Sequence, residues 1–96
     1  MNKTINYQLT IVVPVYNEED NIYSLEQKLG EFLPNSICTA CVLFVNDGSR
    51  DNSKQRIMEV CARNKDFFYM DLAKNSGLSA AMKAGIDYAE SVYVGY

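Results

Sequence analysis

The chain has 96 residues, 48% hydrophobic and 22% charged, with a formal net charge of −3. That length supports one domain rather than two, in a composition ordinary for a globular protein. Mild acidity and the lack of any Lys/Arg cluster exclude a nucleic-acid or anionic-membrane surface as the basis of function.

No apolar core follows Met1-Asn2-Lys3-Thr4-Ile5-Asn6, so the start does not read as a secretory signal. The apolar runs are strand-sized and too short to span a bilayer. Residues 1–8 read as a flexible lead-in, and the whole chain, 1–96, as one partial domain of a cytoplasmic protein. Cys38-x-x-Cys41 resembles half a zinc site, but there is no histidine and only one further cysteine, Cys61. The three cysteines therefore read as reduced, partly buried thiols.

Leu9–Val15 is apolar and rich in β-branched residues, with Pro14 near its end, and predicts a strand covered on both faces. The period then changes. Ile22, Leu25, Leu29, Phe32 and Leu33 fall at helical spacing until Pro34, with Asn17 as the expected N-cap. Glu18, Glu19 and Asp20 suit the positive end of that helix dipole.

Residues 41–45 predict a second buried strand, and Asn46-Asp47-Gly48-Ser49 follows it. Asp-Gly here could make a hairpin turn. That reading needs a partner strand, which Arg50-Asp51-Asn52-Ser53-Lys54-Gln55 cannot supply. The segment is instead a strand-to-helix loop capped by Ser49 or Asp51, leading to a helix with Ile57, Met58, Cys61 and the stem of Lys54 on one face. Phe67–Leu72 predicts a third strand. Leu78, Ala81, Met82, Gly85, Ile86 and Ala89 then mark a helix whose small residues allow close approach to a sheet. Residues 92–96 begin a fourth strand.

The order βαβαβαβ, at about thirty residues per unit, predicts a three-layer α/β domain with a parallel sheet and right-handed crossovers. In such sheets ligands bind beyond the carboxyl ends of the strands. Three polar loops meet there: Tyr16-Asn17-Glu18-Glu19-Asp20, Asn46-Asp47-Gly48-Ser49 and Lys74-Asn75-Ser76-Gly77. The first has no glycine, so it is not a dinucleotide-binding turn, and its acids repel a pyrophosphate. No Gly-Lys-Ser/Thr exists for a P-loop. Leu43 and Val45 fall where an EF-hand needs oxygen ligands, and a phospho-receiver's acidic arrangement is incomplete.

A base can pack on Tyr16, and Asp47 can accept a hydrogen bond from a base or ribose. Lys74 is the one cation assigned to this edge. The same residues also read as plain structure: Glu18 as a first-turn acid, Tyr16 as packing, and Asp47-Gly48-Ser49 as a turn and cap.

Taken together, Val12-Val13-Pro14-Val15-Tyr16-Asn17-Glu18-Glu19, Phe44-Val45-Asn46-Asp47-Gly48-Ser49-Arg50-Asp51-Asn52-Ser53 and Asn75-x-Gly77-x-x-Ala80-Ala81-Met82-x-Ala84-Gly85 resemble the inverting family-two glycosyltransferases. The nearest likeness is to the branch that moves a hexose to a polyprenyl phosphate. The resemblance runs from about Leu9 to Tyr96 and implies the nucleotide-binding, Rossmann-like half of a GT-A fold. It implies that Pro14, Tyr16 and Glu18 line the nucleoside pocket. Asp47 matches the second acid of an Asp-Asp pair that contacts base or ribose, and Asn46 replaces the first. Lys74 stands for a common arginine; Ser76 and Leu78 depart from a common aromatic and lysine.

The resemblance further implies a nucleoside diphosphate sugar as donor and a lipid phosphate or glycan as acceptor. It also implies a divalent metal, Mg²⁺ or Mn²⁺, held by an Asp-x-Asp that would follow the fourth strand. This chain stops before that motif, so it is expected to bind nucleotide weakly, to hold no metal alone and to be inactive. The competing expectation is a non-catalytic α/β module that self-associates through an exposed sheet edge at the fourth strand.

Overall fold

The computed structural model describes residues 2–91 and 93–95. Four strands, β1 (Leu9–Val15), β2 (Ala40–Asp47), β3 (Phe67–Leu72) and β4 (Tyr93–Gly95), form one sheet in the order β3-β2-β1-β4. Every pairing is parallel. Three helices make the crossovers: α1 (Ile22–Phe32), α2 (Ser53–Arg63) and α3 (Leu78–Tyr88). Val92 and Tyr96, which the sequence reading included in the fourth strand, lie outside the described residues.

β2 is buried at every position and sorts its side chains between two cores. Val42 and Phe44 pack with Ile22 of α1 and with Ile57 and Val60 of α2. Leu43 and Val45 turn the other way, to Val12 of β1 and Ala81 of α3. The result is the expected three-layer α/β arrangement, with α1 and α2 on one face and α3 on the other. β2 also runs two residues past the expected end, so Asn46 and Asp47 belong to the strand and are held by its register with β3.

Pro14 pairs with Val45 of β2 but lies beyond the part of β1 that pairs with the described residues of β4, Leu9 to Ile11. Its missing N–H therefore leaves no gap in that ladder. α3 lies close to the sheet because Ala81 and Gly85, one turn apart, are its contact line. A Cβ on Gly85 would fall 2.4 Å from Val12 Cγ1 and 2.8 Å from Val45 Cγ2.

The helices bury narrower stripes than their periodicity predicts. Leu78 and Ile86 of α3 are 62% and 47% exposed, because the helix meets the sheet along Ala81 and Gly85 with Met82 beside them. On α2 the buried residues are Ser53, Ile57 and Val60, while Met58 is exposed. Met58 sits about 100° around the helix from Ile57 and so points away from the sheet. α1 ends at Phe32, and Pro34 falls in a 3-10 turn, Leu33–Asn35, that closes it.

Residues 2–7 differ from the lead-in read from the sequence. Lys3–Asn6 is a 3-10 turn capped by Asn2, whose side chain accepts the Thr4 N–H. Thr4 is buried, and its hydroxyl accepts the Glu90 N–H at 2.9 Å. Tyr7 packs edge-on against Phe68 of β3, with ring centroids 5.8 Å apart, and donates its hydroxyl to Asp66. These contacts fasten the segment to both flanks of the sheet.

β1 has β2 on one side and β4 on the other, so the strand order reverses at β1. That places the loop after β1 beside the crevice where ligands of parallel sheets bind.

Candidate nucleotide site

The loops after β1 and β2 are stitched together by side chain to backbone bonds. Asn17 has a left-handed backbone, φ 50. Its N–H donates to Ser49 Oγ at 3.0 Å, and its side-chain oxygen accepts the Arg50 N–H at 2.8 Å. In the next two residues, the Glu18 N–H donates to Ser53 Oγ and the Glu19 N–H to Asp51 Oδ2. Asn17 and Ser49 are thus not helix caps, as the sequence suggested; they are partners of each other across two loops. α1 starts later, at Ile22, after a 3-10 turn Glu19–Asn21.

Asp51 lies just outside the N-cap of α2, Asn52, and its Oδ1 accepts the Ser53 N–H at 2.9 Å. Partial burial pushes its carboxyl up. Hydrogen bonds from Ser53 and from the Glu19 N–H outweigh that and hold it below the ordinary value.

Asp47 joins the second loop to the third. It is 3% exposed, and its carboxylate accepts hydrogen bonds from the Ser76 and Gly77 N–H groups and from the Asn75 amide. Its neighbour Asn46, also 3% exposed, donates to Asp71 Oδ1 on β3 at 3.0 Å and accepts the Ser49 N–H. Lys54 Nζ stands 3.5 Å from the other oxygen of Asp71.

These loops border an open cavity of about 570 Å³ at the carboxyl ends of β2 and β3. Tyr16, Asn46, Arg50, Lys54, Asp71 and Lys74 are among its walls. Of the residues singled out from the sequence, Tyr16 reaches this cavity, with 42% of its surface exposed. Pro14, Glu18 and Asp47 lie behind or beside it: Pro14 is half-buried in β1, Glu18 is exposed at the loop, and Asp47 is turned into the third loop. Lys74 is joined there by Arg50 and Lys54, two cations that the sequence reading left out. A larger groove of about 1040 Å³ lies at the amino ends of the strands, around Tyr7, Thr39 and Asp66. It is away from the converging loops, and the fold rule for parallel sheets favours the carboxyl edge.

A planar base can lie on the exposed Tyr16 ring, and the three cations can offset anionic charge. A divalent metal is less well served. Among the described residues no three Asp, Glu, Cys or His side chains converge on one point. Four of the nearby carboxylates are already engaged: Asp47 and Asp51 by amides, Glu19 by Arg56 at 3.9 Å, and Asp71 by Asn46 and Lys54. The residues present do not fit a metal ion. The cysteines are free thiols; burial pushes Cys61 up to about 12 and also raises Cys41, against a lowering hydrogen bond from Thr10.

A parallel sheet that reverses order at β1, with its polar loops tied together across the carboxyl edge, defines a Rossmann-like α/β nucleotide-binding layer. The family model described as "Glycosyl transferase family 2" matches residues 10–96, and the chain belongs to that family. It is 39% identical over 83 residues to an uncharacterized glycosyltransferase of Synechocystis sp., covering 86% of this chain and 26% of that protein. It is 34% identical over 86 residues to the poly-β-1,6-N-acetyl-D-glucosamine synthase of Staphylococcus aureus, covering 90% of this chain and 20% of the synthase. Its fold matches a mannosyltransferase from Pyrobaculum calidifontis, solved with GDP-Man and Mn²⁺, at a TM-score of 0.74 and 18% identity. That match covers 86% of this chain and 24% of the mannosyltransferase. The chain thus spans between 20% and 26% of the length of these relatives.

Proposed function

We propose that the chain is the donor-nucleotide part of an inverting glycosyltransferase, which moves a sugar from a nucleoside diphosphate sugar to a lipid phosphate or glycan acceptor. The observation that carries this reading is the cavity at the carboxyl edge, whose walls include the exposed Tyr16 together with Arg50, Lys54 and Lys74. A nucleoside diphosphate needs both a surface for a planar base and positive charge for its phosphates. Support comes from the mannosyltransferase of like fold, which carries GDP-Man and Mn²⁺. Pro14 on β1, Glu18 in the loop after it and Asp47 on β2 support the pocket from behind or beside its walls.

A polyprenyl phosphate is the acceptor we favour, with the donor site facing the cytoplasm. The full-length enzyme uses a divalent metal, whose ligands belong to the length of the relatives that this chain does not span. The chain alone binds nucleotide weakly and transfers no sugar.

Isothermal titration of GDP and UDP into the chain, with and without Mn²⁺, tests the reading. Saturable binding that is insensitive to Mn²⁺ and lost in Tyr16→Ala is the expected result. No binding of either nucleotide, or sugar transfer by the chain alone, overturns it.

Self-association has one observation in its favour: Leu78 and Ile86 stand exposed on α3. Light scattering that shows a concentration-dependent dimer, with no nucleotide binding, would put that reading first.

A further inference from the structure

The tie between the loops after β2 and β3 is unlike the rest of the rim, because it runs through a buried charge. Asp47 accepts the Ser76 N–H at 2.8 Å, the Gly77 N–H at 3.0 Å and the Asn75 side-chain amide at 3.1 Å. All three donors come from one loop. A carboxylate 3% exposed, deprived of those donors, would be left charged and poorly solvated. The loop position and the hydrogen bonding of the Asp47 carboxylate therefore depend on each other. Both acceptor positions of Oδ2 are used, and one of the two on Oδ1, so a single position remains.

Gly48, the next residue, completes the contact through backbone. It has φ +68, and a Cβ there would fall 2.4 Å from the Asn75 nitrogen and 2.5 Å from the Lys74 carbonyl carbon. The two loops touch at main-chain distance, which only glycine permits at this position.

We propose that Asp47 is a latch within the nucleotide site and that Asn75 is a positioning residue acting through it. The latch fixes residues 74–77 against the loop after β2. It thereby sets where Lys74 stands at the cavity and which way the free Oδ1 position points. This rests on the donor-nucleotide reading above. Neither the comparisons nor the periodicity of the sequence assigns any role to Asn75.

The test combines amide hydrogen exchange by NMR with GDP and UDP titrations on the full chain and on Asn75→Ala, Asp47→Asn and the double variant. Losing a hydrogen bond to a charged partner should speed exchange at Ser76 and Gly77 and weaken nucleotide binding about tenfold in Asn75→Ala. If Asn75 works through Asp47, the double variant binds no more weakly than Asp47→Asn alone. A purely structural role would not produce that coupling. Gly48→Ala, which pushes the loops apart without touching the carboxylate, gives the same signature should Asp47→Asn fail to fold.

Unchanged exchange at Ser76 and Gly77 overturns the latch. Faster exchange with unchanged or additive affinity losses overturns the positioning role of Asn75 and leaves the latch as a structural tie alone. If the unaltered chain binds neither nucleotide, the donor-site reading fails and the positioning role with it, and exchange alone then decides the latch.

Discussion

The side-chain amide of Asn46 donates to the carboxylate of Asp71 at 3.0 Å, across paired positions of β2 and β3. This accounts physically for an asparagine where the family resemblance implies an acid. A carboxylate at position 46 would face Asp71 at hydrogen-bond distance in a site where residue 46 is nearly sealed from water. Like charges so placed cannot both ionise cheaply, and Lys54, mostly exposed, offsets little of the repulsion.

Asn46→Asp should therefore lower stability at neutral pH by about 1–3 kcal/mol, the cost of one broken buried hydrogen bond plus repulsion. The loss should shrink as pH falls toward the ordinary carboxyl range, where one of the pair takes up a proton. Adding Asp71→Asn reverses the pair and should restore most of the stability. Urea unfolding of the unaltered chain and the two variants would decide it; a double variant as unstable as the single one would refute the pairing.

Gly85 is the second test, and it pits two effects against each other. Alanine improves helix propensity by about 1 kcal/mol over glycine. Its Cβ, however, would lie 2.4 Å from Val12 Cγ1, a methyl of a completely buried valine. Overpacking of that kind costs about 1–3 kcal/mol, so Gly85→Ala should be destabilising on balance. In a Val12→Ala background the nearer methyl is gone while Val45 Cγ2 still stands at 2.8 Å, so the same change should cost less than in the unaltered chain. Additive losses in the double-mutant cycle would show that α3 does not rest on the sheet at this point.

How far the sequence foretold these contacts depended on their range. Leu9–Val15 and Phe67–Leu72 were readable to the residue, because strands bounded by polar loops announce themselves as apolar runs. Met58, Leu78 and Ile86 were misplaced because an apolar residue at helical spacing is not thereby on the contact line. The width of that line is set by what the helix packs on. Tyr16 was legible as an aromatic in the loop after β1, and it lines the cavity at the carboxyl edge. Asp71 and Lys54 were not, since β-register and the first turn of α2 bring them to the cavity. The partners of Asp47 lie 28, 29 and 30 residues downstream, a separation no local pattern reveals.

Asp51 supplies a pH prediction whose sign follows from its environment. Its carboxylate holds the Ser53 N–H at 2.9 Å and the Glu19 N–H at 3.2 Å, joining two loops and the start of α2. Those bonds favour the charged form, so the folded-state value lies below the ordinary 3.8 despite partial burial. A group depressed on folding adds stability that is present above its unfolded value and lost as pH falls through its folded value. The contribution should thus be complete above about pH 4 and disappear below it. Glu26, depressed by its hydrogen bonds from Arg63, titrates in the same region and must be subtracted. Comparing the chain with Asp51→Asn does this, because Glu26 is common to both. The difference in urea midpoint should be constant from about pH 6 down to about pH 4 and then narrow steadily toward about pH 2. A difference that stays flat throughout would mean that the two amides are held by geometry alone and gain nothing from the charge.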